Sequence, residues 1–186
     1  TRSADLISNF KEVAVSQSSA EITTFNLRIF LGEIIASLRP QTKKYQLDIQ
    51  VLVEDIVLKS YQGAFAQIFT NLMINSMYHG FSPDKQHTIM IKSVVRRGAI
   101  QIDYEDDGKG MSEKSQQRIF EPFFTTKRGQ GGTGLGMHIV YNLVNQKLGG
   151  EIHVYSTPGE GTRVEIRLPM TLLANASSAQ TKVTYQ

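Results

Sequence analysis

Apolar positions along this chain recur with two spacings, and each change of spacing marks a new element. In "TRSADLISNFKEVAVSQ", Leu6, Phe10 and Val13 stand at i, i+4 and i+7, which predicts an amphipathic helix over residues 1–17. The polar run "SQSSAEITT" then predicts a linker, placed at residues 18–25. Asn26 is suited to cap a helix through "LRIFLGEIIASLRP", with Pro40 as its stop. Leu47–Val53, "LDIQVLV", alternates as a strand, and "IVLKS" predicts a short extended piece. A long helical pattern covers about Gln62–Gly80. "HTIMIKSVVRRGAIQIDYEDDGKG" has period two on both sides of Arg97-Gly98 and predicts a hairpin turning there.

Further on, "SEKSQQRIF" predicts a short helix capped by Ser112, and "FFTTKRGQGGTG" a glycine-rich loop. "LGMHIVYNLVNQKLGG" predicts a helix ending at Gly149. "GEIHVYSTPGEGTRVEIRLP" predicts a second hairpin, its turn marked by Pro158, Gly159 and Gly161. The tail, residues 171–186, is rich in Ser, Thr, Gln and Ala and is expected to be poorly ordered. Helices mixed with hairpin-joined strands predict an α+β fold. A mixed sheet with helices on one face would make a two-layer sandwich.

Three departures from this pattern carry chemistry. Asn71 and Asn75 lie in the middle of the long helix, where asparagine is a poor former because its amide competes for backbone hydrogen bonds. With Gln67 they share one face at i, i+4 and i+8 of an otherwise apolar helix. A buried amide without partners costs about 1–3 kcal/mol. The pair therefore either caps a neighbouring loop or offers neutral oxygens to a hard cation, such as Mg²⁺ carried in by phosphates.

Strand alternation next puts Ile100, Ile102, Tyr104 and Asp106 on one face, so Asp106 is a carboxylate at the edge of the core. It can accept an exocyclic amino group of the kind adenine offers. Gly108 and Gly110 let backbone come close to a flat ligand. Alone, this motif also fits a polar turn after a strand. Lastly, "RGQGGTGLGMHIV" runs glycine-rich backbone into a helix start, where free amides suit an anion. No strand precedes it and no Gly-Lys-Ser/Thr follows, which argues against dinucleotide-fold and P-loop readings. The protein-kinase signature set is also missing.

Composition narrows the picture. The chain has 186 residues, enough for one solid core plus an appendage, and its first residue is Thr, as expected of a piece of a longer protein. With no cysteine it has neither disulfides nor thiol chemistry. A net charge of +3 on interleaved acids and bases gives no argument for nucleic acid. There is no apolar run long enough to span a bilayer.

Taken in order, "QIFTNLMIN", "DDGKG", "FEPFFTTK" and "GGTGLGM" resemble the N, G1, F and G2 boxes of sensor histidine kinase catalytic domains. These belong to the wider group of gyrase, heat-shock chaperone, histidine kinase and mismatch-repair ATPases. The resemblance implies the Bergerat ATP-binding fold over residues 26–170, with residues 1–17 as the end of a bundle helix. It implies that Asn71 holds Mg²⁺ and that Asn75 reaches the Mg²⁺-bound phosphates. Asp106 then reads adenine, with Gly108 and Gly110 shaping the base pocket and Thr162 supporting the aspartate. Phe123 and Phe124 match the F box, and Gly132, Thr133, Gly134, Leu135 and Gly136 the phosphate loop. Tyr78 stands where the family often has Lys or Arg; that role passes to His79 or Lys127, or is lost. Lys127 is placed either to meet the terminal phosphates or as a solvated loop lysine.

The implied activity is ATP-dependent phosphorylation of a histidine on a dimerisation bundle of the same protein, for relay to an aspartate of a response regulator. None of His79, His87, His138 and His153 resembles the acceptor, so this piece is expected to bind ATP without phosphorylating itself. The whole protein is expected to be a homodimer. This domain is expected in the cytoplasm, with an inner-membrane anchor elsewhere left open. The rival readings are a nucleotide-gated interaction module and an ATPase without phosphotransfer.

Overall fold

A computed structural model describes residues 21–127, 132–169, 173–180 and 183–185. The residues 1–17 read as a helix lie outside these. Nine strands and five helices follow in chain order among the described residues: β1 (Ile22–Asn26), α1 (Leu27–Ser37), α2 (Arg39–Thr42), β2 (Gln46–Leu52), β3 (Glu54–Tyr61), α3 (Gln62–Asn75), β4 (Gln86–Arg96), β5 (Ala99–Asp106), α4 (Glu113–Arg118), α5 (Gly136–Asn142), β6 (Glu151–Thr157), β7 (Gly161–Pro169), β8 (Leu173–Gln180) and β9 (Val183–Tyr185). Both α3 and α5 continue into a wider π turn, Ser76–Gly80 and Leu143–Lys147 respectively.

Six strands form the main sheet in the order β6-β7-β5-β4-β2-β9. Its pairs are antiparallel except β2 with β4. One face is apolar because every second residue is: Ile89 and Ile91, Ile100, Ile102 and Tyr104, and Val164, Ile166 and Leu168 are all buried. The helices cover this face, α3 contributing Phe65, Ile68, Phe69, Leu72 and Met73 to the same core. The opposite face carries charges, with Arg163 bridging Asp103 and Glu165 at 2.7 and 2.8 Å. The expected α+β sandwich is therefore the observed one.

Three expectations change. Residues 22–25, read as linker, lie in β1, which pairs with β3 in a second, three-stranded sheet, β1-β3-β8. Thr23 and Thr24 suit an extended chain. Phe25 is buried, its ring 5.1 Å from that of Phe30 and 5.5 Å from that of Phe65. Asn26 does cap α1, accepting from the Ile29 amide at 3.1 Å. Pro40, however, is not the stop: α1 ends at Ser37, and Pro40 opens the short turn of α2, where its missing N–H does no harm. Finally, the tail expected to be poorly ordered supplies two edge strands, β8 on β3 and β9 on β2. The Tyr185 hydroxyl abuts Gly32 of α1, where any Cβ would lie 2.5 Å from it. Among the described residues no helix is long and apolar enough to cross a membrane.

Candidate functional site

A cavity of about 500 Å³ opens between α3, the segment after β5 and the glycine loop before α5. Its floor is the polar stripe of α3. Asn71, only 6% exposed, donates from Nδ2 to the Gly136 carbonyl at 3.3 Å. That bond uses one of the two N–H groups and fixes the orientation of the amide. Asn75 lies one turn on, and its buried Nδ2 has no hydrogen-bond partner among the described residues. A buried donor in that state is poised for an acceptor brought by a ligand.

Asp106 sits at the other end of the cavity, where β5 leaves the sheet. Its Oδ1 accepts from the Gly108 amide at 3.0 Å and its Oδ2 from the Ser76 hydroxyl at 2.5 Å. Burial pushes the Asp106 carboxyl above its ordinary range. Bonds from Ser76, Gly108 and the Thr162 backbone oppose this, while Asp107 adds to it. Thr162 is the register partner of Asp106 on β7 and lines the cavity, its hydroxyl 3.1 Å from that of Ser156. Gly108 stands back from the opening and packs on Gly80, where a Cβ would come within 2.9 Å of the Gly80 Cα. At Gly110, φ is +63° and a Cβ would fall 2.0 Å from the Thr157 carbonyl. Only glycine lets this loop lie against the second hairpin.

The third wall comes from residues 124–126 and from the glycine-rich residues 132–136. Phe124, Thr125, Thr126, Gly132, Thr133, Gly134 and Gly136 line the cavity. Gly134 has φ of +71°, and a Cβ there would fall 2.5 Å from the Phe123 carbonyl carbon, so the glycine loop rests directly on the F-box backbone. Phe123 itself takes φ of +64°, a strained conformation for a side-chain-bearing residue, and turns its ring outward at 63% exposure. Phe123 and Leu135 are thus held beside the cavity, outside its lining.

Lys127 also lies outside the lining. Its ammonium is bonded to the Tyr78 carbonyl and stacked 5.0 Å from the centroid of the Tyr78 ring. Neighbouring Thr126 meets His79 at 3.3 Å between Oγ1 and Nδ1. Tyr78 and His79 therefore hold Thr126 and Lys127, just ahead of the glycine-rich loop. His79 lines the cavity, and its ring is less basic than usual, first through burial and then through the charges of Lys127 and Lys109. His87, 6% exposed, pairs with Asp107 at 3.0 Å and stacks on Phe81, a structural arrangement behind the base end. His138 is tied to the Phe120 carbonyl at 3.0 Å.

Sequence reasoning missed Ser76, which joins Asp106 to the buried Tyr104 hydroxyl at 2.9 Å. Helical spacing puts it off the asparagine stripe, and only its polarity inside an apolar run marks it. Lys109, Met111 and Gly80 were missed as lining residues too.

These residues fit a nucleotide carrying a divalent cation. The cavity joins the amides of Asn71 and Asn75 at one end to a partly buried carboxylate, Asp106, at the other. Among the described residues no cluster of three or more His, Cys, Asp or Glu stands ready for a bare metal ion. A cation here needs most of its ligands from phosphate and water, as Mg²⁺ prefers.

Comparison with known proteins agrees. Residues 61–172 match the family described as histidine kinase-, DNA gyrase B-, and HSP90-like ATPase. Sporulation kinase A of Bacillus subtilis is 32% identical over 166 residues, 88% of this chain and 26% of that protein. Sensor protein GacS of Pseudomonas syringae pv. syringae is 29% identical over 177 residues, 88% of this chain and 19% of that protein. The chain thus spans about a quarter or less of the length of these relatives. The solved catalytic domain of histidine kinase ThkA matches with a TM-score of 0.68 and 25% identity, over 81% of this chain and 96% of that one. Full-length ShkA, solved in complex with AMPPNP, shares the fold with a TM-score of 0.70 at 22% identity, over 97% of this chain and 38% of that one. The chain belongs to the histidine kinase-, DNA gyrase B-, and HSP90-like ATPase family, as an ATP-binding domain of the sensor histidine kinase kind.

Proposed function

We propose that the cavity binds Mg²⁺–ATP and presents its γ-phosphoryl group to a histidine on a dimerisation bundle of the same protein, for relay to a response-regulator aspartate. The observation that carries this reading is the pair of amides on the cavity floor, Asn71 oriented by its bond to the Gly136 carbonyl and Asn75 with a buried Nδ2 that has no partner among the described residues. Asn71 is the residue suited to the metal, which when bound supplies charge neutralisation along the phosphates. Asn75 donates to a phosphate oxygen. Asp106 accepts the adenine amino group, with Gly110 and Met111 against the base. Backbone around Gly132, Gly134 and Gly136 follows the phosphates. Phe123 and Phe124 shape the loop, and Lys127 steadies it through Tyr78.

An amide at Asn71 also bears on the reaction class. A carboxylate at that position can take a proton from water as a general base; an amide cannot. Phosphoryl transfer needs chiefly positioning and charge neutralisation, so the floor suits transfer better than hydrolysis. The domain in the whole protein would then act as a homodimer on the cytoplasmic side, whether or not another segment is anchored in a membrane.

Calorimetric titration with a non-hydrolysable ATP analogue, with and without Mg²⁺, tests the site. Saturable binding that weakens without Mg²⁺ and in Asn71→Ala is expected. A phosphoacceptor bundle supplied in trans with ATP should then yield phosphohistidine. Binding without any transfer to such a bundle, alongside steady phosphate release, would return the domain to the ATPase reading.

A further inference from the structure

We propose that Ser76 is the purine-selecting residue of this pocket: its hydroxyl fixes Asp106 as an acceptor and so favours a base with an exocyclic amino group over one with a carbonyl there. The inference rests on the nucleotide reading above and deepens it.

The hydrogen-bond directions follow from the groups themselves. A carboxylate accepts only, so across the 2.5 Å contact Ser76 Oγ is the donor to Asp106. A serine hydroxyl has a single proton, and that bond uses it. Across the 2.9 Å contact with Tyr104, Ser76 must therefore accept, and the phenol donates. Tyr104 is 1% exposed and Ser76 4%, so water does not substitute for either partner. The result is a one-way chain in which Tyr104 donates to Ser76 and Ser76 donates to Asp106. Gly108 supplies a further N–H to the other oxygen at 3.0 Å.

This chain opposes a strong tendency. Burial raises the Asp106 carboxyl, and Asp107 raises it further. The phenol of Tyr104 is itself held well above its usual range by burial and by Asp106, so it stays a neutral donor. The other titratable groups lining the cavity are Tyr78 and His79 on the π turn and Lys109 on the loop after β5; Lys127, outside the lining, is engaged by Tyr78. From β7 the facing residues are Thr162 and Val164, which carry no charge. Without Ser76, Asp106 gains a proton more readily, and in its protonated form it is a donor suited to the carbonyl that guanine carries where adenine carries its amino group.

The test is titration of the protein with Mg²⁺ and the non-hydrolysable analogues of ATP and GTP from pH 5 to pH 8, in the native chain, Ser76→Ala, Ser76→Thr and Tyr104→Phe. The native chain should favour the adenine analogue, losing affinity only at the acid end. Ser76→Ala should lose about ten-fold in adenine affinity, the scale of one hydrogen bond to a charged group. Its affinity midpoint should move up by about one pH unit, and its preference for adenine over guanine should shrink. Ser76→Thr, which keeps the hydroxyl, should restore both. Tyr104→Phe should shift the midpoint the same way by less, which keeps the test intact if Ser76→Ala does not fold. An unchanged midpoint and unchanged base preference in both Ser76→Ala and Tyr104→Phe would overturn the assignment while leaving the ATP site standing. A native chain that binds neither analogue would overturn the underlying reading, and the selectivity role with it.

Discussion

The ammonium of Lys127 lies 5.0 Å from the centroid of the Tyr78 ring and is bonded to the same residue's carbonyl. Tyr78, a residue of the cavity lining, thus holds a lysine that itself lies outside that lining. A contact of this type at a partly exposed site contributes about 0.5–1 kcal/mol. Tyr78→Leu keeps the carbonyl bond and removes the ring. Amide exchange of Thr125–Lys127 is then expected to quicken by about two- to five-fold, the range that this energy converts to. Native-state hydrogen exchange reads it directly; an unchanged rate means that the ring contributes nothing to holding the segment.

Burial depresses the basicity of His79, and the charges of Lys127 and Lys109 depress it further. Its folded-state pKa lies below the unfolded value near 6.5. The stability linked to it is therefore full above about 6.5 and is lost as pH falls through the folded value. Lys127→Met removes one of the two charges. The His79 titration should move upward without reaching its ordinary position, because burial is the larger cause. An NMR pH titration of the ring protons measures the shift, and no movement would mean that Lys127 stays distant in solution.

Asp106 has the opposite sign. Its folded-state pKa is raised above 3.8, so the folded chain binds this proton more readily than the unfolded chain does. That contribution is present below 3.8 and is lost as pH rises through the folded value. At pH 7 the ionised group is a burden on the empty fold. Asp106→Asn is thus expected to match or exceed the native chain in urea stability at pH 7, with the difference fading in acid. Adenine-nucleotide binding should fall at least ten-fold, the scale of losing a hydrogen bond to a charged acceptor. A variant that is clearly less stable at pH 7 would show that the hydrogen bonds to the carboxylate outweigh its desolvation.

Gly134→Ala meets two obstacles at once, a φ of +71° and the Phe123 backbone 2.5 Å from the new Cβ. The left-handed conformation alone costs about 1–2 kcal/mol. Because the loop lies outside the main core, the thermal midpoint should change little while nucleotide affinity falls by about ten-fold or more. Calorimetry and thermal denaturation on the same sample separate the two effects. Unimpaired binding would mean that the loop can move off Phe123 freely.

Much of this was legible beforehand because two periods dominate the core. The alternation Ile100, Ile102, Tyr104, Asp106 places the carboxylate where it is found, at the core's edge. The asparagine stripe likewise ends up on a cavity floor. What escaped had a local reason in each case. β1 is only five residues long and its single buried aromatic, Phe25, follows a polar run. Pro40 reads as a stop but is equally at home one residue into a new turn. The edge strands of the tail depend on partners more than a hundred residues earlier, which no local pattern reports. Lys127 lies in a loop, where sequence places a charge without giving the direction in which it points.

Ser76 escaped for a further reason, the wide turn of Ser76–Gly80. Such turns often mark functional sites and take up one more residue per turn than an α-helix. Deleting one residue there would let a regular helix re-form, and each position downstream would be carried round by about 100°. His79 would then leave Thr126, and Gly80 would leave the Gly108 backbone it packs on. The length of this turn is therefore as much a part of the site as Ser76 and His79 within it. Among diverging relatives, an insertion or deletion between Asn75 and Phe81 would mark the loss of the site.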